Sequence, residues 1–271
     1  MCEIKAVIFD LDDTLVSEYG FIVSGYKYMS EKLSGRLKRS PGEIEDRLWE
    51  LSAQTYSRAF NRLFDSYGET CSEEELQELI LLYRSHPAKL SFYPDVWPVL
   101  KGLRERKLLT GIISDGDPER QKNKIRTAVA GLMEGTGEES WETDRAYGAE
   151  KKENETVWPG EEIKRWFDEI ILNDEFGGPS FRKPEPHGFK VMAGRLGIDP
   201  SAMIYVGDNP SKDFHIAADL PVRTARIIRE KGIYNNRSYL DDIHETWRID
   251  ALTDILSIID DQNGHKDREK E

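Results

Sequence analysis

Short apolar runs, separated by stretches with helical spacing, constrain the fold of this 271-residue chain more than any other feature of its sequence. Such runs suit strands that are buried on both faces of a sheet. Between them, Pro186 opens a stretch of apolar residues at helical spacing, which Gly197 ends. The alternation predicts an α/β fold with a Rossmann-like, doubly wound parallel sheet. The runs are Ala6–Phe9, Leu108–Ile113, Ile170–Leu172, Met203–Val206 and Val222–Ile228.

The strand pattern disappears between Val16 and Phe92, and helix signals replace it. Ser40-Pro41-Gly42-Glu43 and Ser72-Glu73-Glu74-Glu75 both match the capping box that starts many helices. An amphipathic stripe follows each box, and the first stripe continues from Ile44 to Leu63. This part of the chain is therefore expected to be a helical insert.

The chain is expected to divide into a core and this inserted unit. The α-helical insert is expected to cover residues 18–92, and the Rossmann-like core to be formed by residues 1–17 and 93–260. Within the core, residues 131–160 carry eight acidic and three basic side chains and no sustained apolar period. Such a composition is typical of a long excursion. The polar tail, residues 261–271, is expected to be frayed.

The formal net charge of −13 disfavours several classes of partner. An acidic chain with no basic stripe is repelled by nucleic acids and by anionic membranes. Cys2 and Cys71 are too few for a disulfide framework, and the chain start lacks the profile of a signal peptide. No apolar stretch has the roughly 20 residues that cross a bilayer. We expect a cytoplasmic protein whose oligomeric state the sequence does not indicate.

Two carboxylates follow the first apolar run, in Asp10-Leu11-Asp12-Asp13-Thr14. Side chains alternate along a strand, so Asp10 and Asp12 can point towards one site while Leu11 points away. Two acids at one site favour a metal ion and acid–base chemistry. Aspartate and threonine after a strand are also ordinary turn residues, so the motif alone leaves both interpretations open.

The second strand leads into Ser114-Asp115-Gly116-Asp117-Pro118. The glycine permits a tight turn, and Asp117 with Pro118 is typical of a helix start. The Ser114 hydroxyl and the free backbone amides of such a junction can bind a phosphoryl group. Alone, the same turn is also a common loop.

Lysine and carboxylate residues complete the set of candidate site residues. Lys183 lies between a loop and a helix start, in a segment that two prolines restrict. Asp208 and Asp213 follow the fourth apolar run, in Gly207-Asp208-Asn209-Pro210-Ser211-Lys212-Asp213. An acid beside a buried strand end needs a partner, and a divalent cation is a natural one. Asp213 can instead cap the following helix.

Four motifs follow one another along the chain: Asp10 with Asp12 and Thr14, then Ser114, then Lys183, then Asp208 with Asp213. In this order they resemble the motifs of the haloacid dehalogenase-like superfamily. The resemblance extends from Lys5 to about Ile259. It implies that Asp10 is a nucleophile that forms an aspartyl-phosphate, and that Asp12 is the general acid–base. It also implies that Ser114 and Lys183 offset phosphoryl charge, and that the helical insert is a cap domain over the catalytic core. The implied cofactor is Mg²⁺, held by the Asp10 carboxylate, the Asp12 carbonyl, Asp208 and Asp213.

The resemblance also narrows the expected reaction. Dehalogenases of this superfamily lack the second acid, so Asp12 favours phosphoryl transfer. The expected enzyme is a Mg²⁺-dependent phosphoric monoester hydrolase acting on a small phosphorylated metabolite, either a sugar phosphate or a nucleotide. A phosphomutase with the same core residues, and an idle phosphate-sensing or partner-binding protein, remain alternatives.

One residue departs from the pattern of the superfamily. Asp115 stands where many relatives carry asparagine, which places a negative charge beside the expected phosphate-binding residues Ser114, Gly116 and Lys183. Its backbone amide can still bind phosphate. Its side chain is expected either to contact a hydroxyl of the substrate or to turn towards a basic group.

Overall fold

A six-stranded parallel sheet forms the centre of the protein in a computed structural model, which describes residues 2–135 and 158–264. The strand order is β3-β2-β1-β4-β5-β6. Successive strands are added on one side of β1 up to β3 and on its other side from β4 onward, so a topological switch point lies between β1 and β4. The strands are β1 Ala6–Phe9, β2 Leu109–Ser114, β3 Glu169–Leu172, β4 Met203–Gly207, β5 Arg223–Ile227 and β6 Trp247–Ile249.

Helices cover both faces of this sheet. Alternate residues of β1 divide between two hydrophobic clusters: Val7 and Phe9 belong to one, Ala6 and Ile8 to the other. The predicted doubly wound α/β fold with an inserted helical cap is confirmed. The helices of the core are α5 Val96–Glu105, α6 Pro118–Gly135, α7 Glu161–Lys164, α8 His187–Leu196, α9 Ile216–Asp219 and α10 Asp254–Gly264.

Four helices form the insert between β1 and β2, and they pack around a hydrophobic cluster of their own. The boundaries predicted for this cap, 18–92, remain a prediction. The cap helices are α1 Glu18–Leu37, α2 Pro41–Ser52, α3 Ala59–Tyr67 and α4 Glu73–Arg84.

The amphipathic stripe from Ile44 to Leu63 is two helices rather than one. Helix α2 ends at Ser52, and Arg58 has a left-handed backbone with a φ of 55° immediately before α3. The Arg62 side chain donates to the Leu51 and Thr55 carbonyls, which stabilises the turn between the helices. Sequence periodicity continues across such a break because both helices face the same cluster.

Capping explains where several helices begin and end. Ser40 and Glu43 form the complete capping box predicted for α2, whereas Ser72 supplies the side-chain half of the one predicted for α4. Gly197 ends α8 with a φ of 64°, as its position after the apolar spacing predicted.

Two connections join the cap to the core, and we call them the hinge. Val16 of the outgoing connection forms an antiparallel bridge with Phe92 of the returning one. The Tyr93 amide donates to the Leu15 carbonyl at 2.9 Å. Arg229, on the loop after β5, contacts the hinge from the side of the core through Asp95.

Most of the predicted acidic excursion, 131–160, and the tail from 265 onward lie outside the described residues. Helix α10 continues to Gly264, past the expected start of the frayed tail at 261. Among the described residues, no helix combines the length and the apolarity that a membrane span requires.

Candidate active site

The carboxyl ends of β1 and β4 bring together three of the predicted acids. Asp10 follows β1 and Asp208 follows β4, at the topological switch point of the sheet. Open α/β sheets bind ligands at such a position. Carboxylate oxygens of Asp10, Asp208 and Asp213 lie within 4.8 Å of one another, and all three residues are buried.

Asp213 reaches this cluster because Gly207 leaves room for it. A side chain at Gly207 would place a Cβ 2.6 Å from Asp213 Oδ2. The same oxygen accepts a hydrogen bond from the Asn209 amide at 2.9 Å. Asp213 therefore closes the turn after β4 and also directs its other carboxylate oxygen towards the site.

Lys183 lies between the acids. Its Nζ is 2.8 Å from Asp10 Oδ1 and 3.0 Å from Asp213 Oδ1, and it donates to the Tyr205 hydroxyl at 2.6 Å. Burial would lower the pKa of Lys183, but Asp10 and Asp213 raise it well above its usual range. The lysine is therefore a fixed positive charge beside Asp10.

Burial has the opposite effect on the acids. It raises the pKa of Asp10 to about 6, although Lys183 and Lys212 act in the other direction. It also raises the pKa of Asp208 well above its usual range, and the charges of Asp213 and Asp10 add to that rise. Several carboxylates at one buried position are costly without a cation between them.

The donor set fits a divalent cation. Asp208 Oδ2 is buried and has no hydrogen-bond partner among the residues that the structure describes, and a buried polar atom of that kind calls for a ligand. Asp10, Asp208 and Asp213 offer only carboxylate oxygens, the ligands that hard cations prefer. Asp12, whose backbone carbonyl is the predicted ligand, does not add its carboxylate to this cluster.

The Asp12 side chain is instead held by helix α6. Lys124 Nζ lies 2.6 Å from Asp12 Oδ1, and the Gln121 amide donates to Asp12 Oδ2 at 2.9 Å. Lys124 is fully buried and also pairs with Glu18, in the first turn of α1. Burial would raise the pKa of Asp12, but Lys124 and Arg120 outweigh it and lower the pKa to about 2.

The loop after β2 matches its prediction only in part. Ser114 Oγ is buried and accepts a hydrogen bond from the Gln121 side chain at 2.7 Å. Gly116 has a φ of 113°, which glycine readily adopts. Its amide, expected to face a phosphoryl oxygen, donates instead to Asp174 Oδ1 at 3.2 Å. The position of Asp174 is fixed in turn by Arg182, which bonds both of its carboxylate oxygens.

Asp115 turns towards basic and amide groups, one of the two orientations expected for it. Its Oδ2 lies 2.8 Å from Lys212 Nζ, and its Oδ1 accepts from Asn173 and from the Lys183 amide. Burial would raise the pKa of Asp115, but Lys183 and Lys212 lower it well below its usual range. The extra negative charge is thus balanced within the site. Lys212 Nζ is also 3.9 Å from Asp10 Oδ2.

Comparison with known proteins identifies the family. The model of the haloacid dehalogenase-like hydrolase family matches residues 4–219. The chain belongs to this family. The predicted enzyme class of this hydrolase, a phosphoric monoester hydrolase, is confirmed by the family and by the names of its relatives.

Relatives of this hydrolase align over nearly their whole length. The chain is 26% identical to a glyceraldehyde 3-phosphate phosphatase of Methanopyrus kandleri, covering 94% of this chain and 97% of the relative. It is 22% identical to a pyrophosphatase of Oceanobacillus iheyensis, with 95% and 98% covered. A solved phosphatase of the same family from Thermococcus onnurineus superposes with a TM-score of 0.55 at 25% identity, covering 94% of this chain and 98% of that structure.

Three polar residues of the site in this hydrolase were not predicted from the sequence: Gln121, Lys124 and Lys212. Gln121 and Lys124 lie three positions apart on α6, which starts directly after the Ser114 loop. That spacing was a usable signal, because residues three apart share a helix face and the first turns of α6 border the site. Lys212 lies next to Asp213 in the fourth motif, but nothing in the sequence shows the direction of its side chain.

Proposed function

We propose that this hydrolase is a Mg²⁺-dependent phosphatase that hydrolyses a small phosphomonoester through an aspartyl-phosphate on Asp10. The observation that carries the proposal is the position of Asp10. Its carboxylate is buried, is 2.8 Å from Lys183 Nζ, and lies beside two further carboxylates that could hold a cation with it. A buried acid between a lysine and a cation site suits attack on a phosphoryl group.

In the first step, an oxygen of Asp10 forms a bond to phosphorus while the bond from phosphorus to the ester oxygen breaks. Lys183 and Lys212 lie 2.8 Å and 3.9 Å from the Asp10 oxygens, so they can offset charge on the transferred group. The Ser114 hydroxyl is available to bind a phosphoryl oxygen. Asp10, Asp208 and Asp213, with the Asp12 carbonyl, would hold Mg²⁺, which neutralises phosphoryl charge when bound.

Asp12 is proposed to move the protons of both steps. It gives a proton to the departing ester oxygen and later takes one from the water that attacks phosphorus and releases Asp10. Bonded to Lys124 and Gln121, the carboxylate is in the ionised form that the second step requires. The first step requires a proton on Asp12, and therefore a weaker contact with Lys124.

Small phosphorylated metabolites are the proposed substrates. The names of the relatives, a glyceraldehyde 3-phosphate phosphatase and a pyrophosphatase, support a small substrate rather than a polymer. The net charge of −13 also disfavours nucleic acid.

The test is phosphate release by the purified protein from a panel of small phosphomonoesters, with and without Mg²⁺. We expect release that requires Mg²⁺ and that Asp10→Asn abolishes, because an amide cannot form the acyl phosphate. Asp46→Asn, at an exposed position on α2, is the matched control and should retain full activity. Absence of release across the panel, or full activity of Asp10→Asn, would refute the proposal. Transfer of phosphate to a second sugar hydroxyl instead of water would indicate a phosphomutase.

A further inference from the structure

A cavity of about 200 Å³ lies where the cap helices meet helix α6 of the core. We call it the cap cavity. Aromatic side chains, among them Tyr26, Tyr56 and Tyr83, form much of its wall. Its charged lining residues are Glu18, Arg58 and Arg120. None of the catalytic steps proposed above uses either arginine, although Glu18 links the cavity through Lys124 to Asp12.

Arg120 lies between the cap cavity and the loop after β2. Its Nη2 lies so close to Gly116 that a Cβ added there would be 2.8 Å away. Its Nη1 is 3.7 Å from Glu18 Oε1, beyond the usual hydrogen-bond distance. Its side chain makes no hydrogen bond with any residue in the described ranges 2–135 and 158–264, and its Nε is buried. The Nη groups of Arg120 are therefore the donors that a ligand in the cavity can use.

Arg58 borders the same cavity from the cap. It immediately precedes α3 and has a left-handed backbone, which is uncommon for a residue with a long side chain. Among the residues that the structure describes, no carboxylate lies within 4.0 Å of its guanidinium group. Arg62, one turn further on, differs because it bonds the Leu51 and Thr55 carbonyls. Within the described part of the chain, Arg58 is therefore the one of these two cap arginines whose guanidinium can bind a ligand.

The balance of charge in the cap cavity is positive. Two arginines face one carboxylate, Glu18, and that carboxylate is already paired with the buried Lys124. Arg120 is half-buried and Arg58 is exposed, and guanidinium groups bind anions that accept paired hydrogen bonds, such as carboxylate and phosphate. A volume of about 200 Å³ is below the range of sites for drug-sized ligands. It suits a chain of a few atoms.

We propose that the cap cavity binds a second anionic group, a carboxylate or a second phosphate, on the ester portion of a short substrate. Arg58 and Arg120 are its ligands. The inference rests on the proposed phosphatase function, because the reacting phosphate would occupy the neighbouring site at Asp10. It specifies the substrate class: a small phosphomonoester or diphosphate with two anionic ends.

Binding of non-hydrolysable phosphonates tests the proposal without turnover. The probes are 3-phosphonopropionate, with a carboxylate end, 1,2-ethylenebisphosphonate, with a second phosphonate end, and propylphosphonate, with an uncharged end. Isothermal titration with Mg²⁺ present should show that at least one two-anion probe binds the wild type about tenfold to 100-fold more tightly than propylphosphonate, the range expected for hydrogen bonds to a charged group. The two arms show whether carboxylate or phosphate is preferred.

Arg58→Gln should remove most of that preference and leave propylphosphonate binding within about twofold of the wild type, because Arg58 contacts only the second anion. Arg47→Gln removes an arginine that pairs with Glu50 elsewhere on the cap and should keep the preference. Equal binding of all three probes by the wild type, or an equal loss for all three in Arg58→Gln, would overturn the proposal. Since no probe is hydrolysed, failure of the phosphatase assay alone would leave this result intact.

Discussion

Replacing Arg229 by methionine should destabilise the protein by removing the contact between the core and the hinge. The guanidinium donates to both carboxylate oxygens of Asp95, at 2.8 Å and 3.0 Å, and to the Thr14 carbonyl at 2.7 Å. It also stacks over Tyr93, 4.0 Å from the ring centroid. Methionine retains part of the packing on Tyr93 but makes none of the three hydrogen bonds.

The size of the loss follows from how buried the ion pair is. Exposed pairs contribute about 0.2–1 kcal/mol, whereas breaking a buried pair costs about 3–5 kcal/mol. The side chains of Arg229 and Asp95 are 10% and 18% exposed, which is nearer the buried case. Asp95 keeps one partner, the Leu252 amide at 2.9 Å, which limits the penalty. We therefore expect the free energy of unfolding to fall by about 2–4 kcal/mol.

Urea unfolding at pH 7, followed by circular dichroism, measures this loss. The matched control is Arg195→Met, which breaks an ion pair with Glu169 on the surface, where the arginine side chain is 52% exposed. The control should lose no more than about 1 kcal/mol. A loss for Arg229→Met no larger than that of the control would refute the reasoning from burial.

The loss should also depend on pH. Burial would raise the pKa of Asp95, but its bonds with Arg229 and the Leu252 amide lower the pKa below its usual value of 3.8. A carboxyl group with a depressed folded-state pKa contributes stability that is present above its unfolded pKa and is lost as the pH falls through the folded one. The difference between wild type and Arg229→Met should therefore be full at pH 7 and shrink below about pH 4. A difference that stays constant down to pH 3 would contradict this assignment.

Three further substitutions test the site. Asp208→Asn should weaken Mg²⁺ binding by at least about tenfold, measured by calorimetry, because it removes a carboxylate from the cation site; unchanged affinity would exclude that site. Gly207→Ala should lower kcat with Mg²⁺ by more than about tenfold, since the added Cβ displaces Asp213 from its position 2.6 Å away; normal kcat would show that the turn can relax. Lys124→Met should lower the free energy of unfolding by about 3–5 kcal/mol in urea, because the Asp12 carboxylate loses its buried partner; a loss below about 1 kcal/mol would show that the pair is not effectively buried.

The sequence was sufficient to predict the sheet and the acids at the carboxyl ends of its strands. Buried parallel strands are apolar on both faces, and they end in the polar residues of the site. Strand β6 was not predicted. It has three residues, Trp247–Ile249, and its central Arg248 is exposed, so it lacks the apolar run that identified the other strands. An edge strand with a neighbour on one side only does not need such a run.

The parts of the site that were not predicted depend on the direction of single side chains. A lysine within a polar helical segment is normally solvated, yet Lys124 is fully buried against Asp12. Similarly, Asp115 is charge-balanced by Lys212, and the Gly116 amide is taken by Asp174. Each of these contacts joins residues that are distant in sequence, and periodicity carries no information about them.

The insertion of the cap between β1 and β2 affects the order in which the chain can fold. Residues that pair between these neighbouring strands, such as Ala6 and Leu109, are separated by about 100 residues of sequence. Closing a loop of that length before any contact compensates for it is slow. The helices α1 to α4 form local contacts and their own cluster within that loop, which shortens the effective distance between β1 and β2. Mutations that unfold the cap are therefore expected to slow assembly of the sheet.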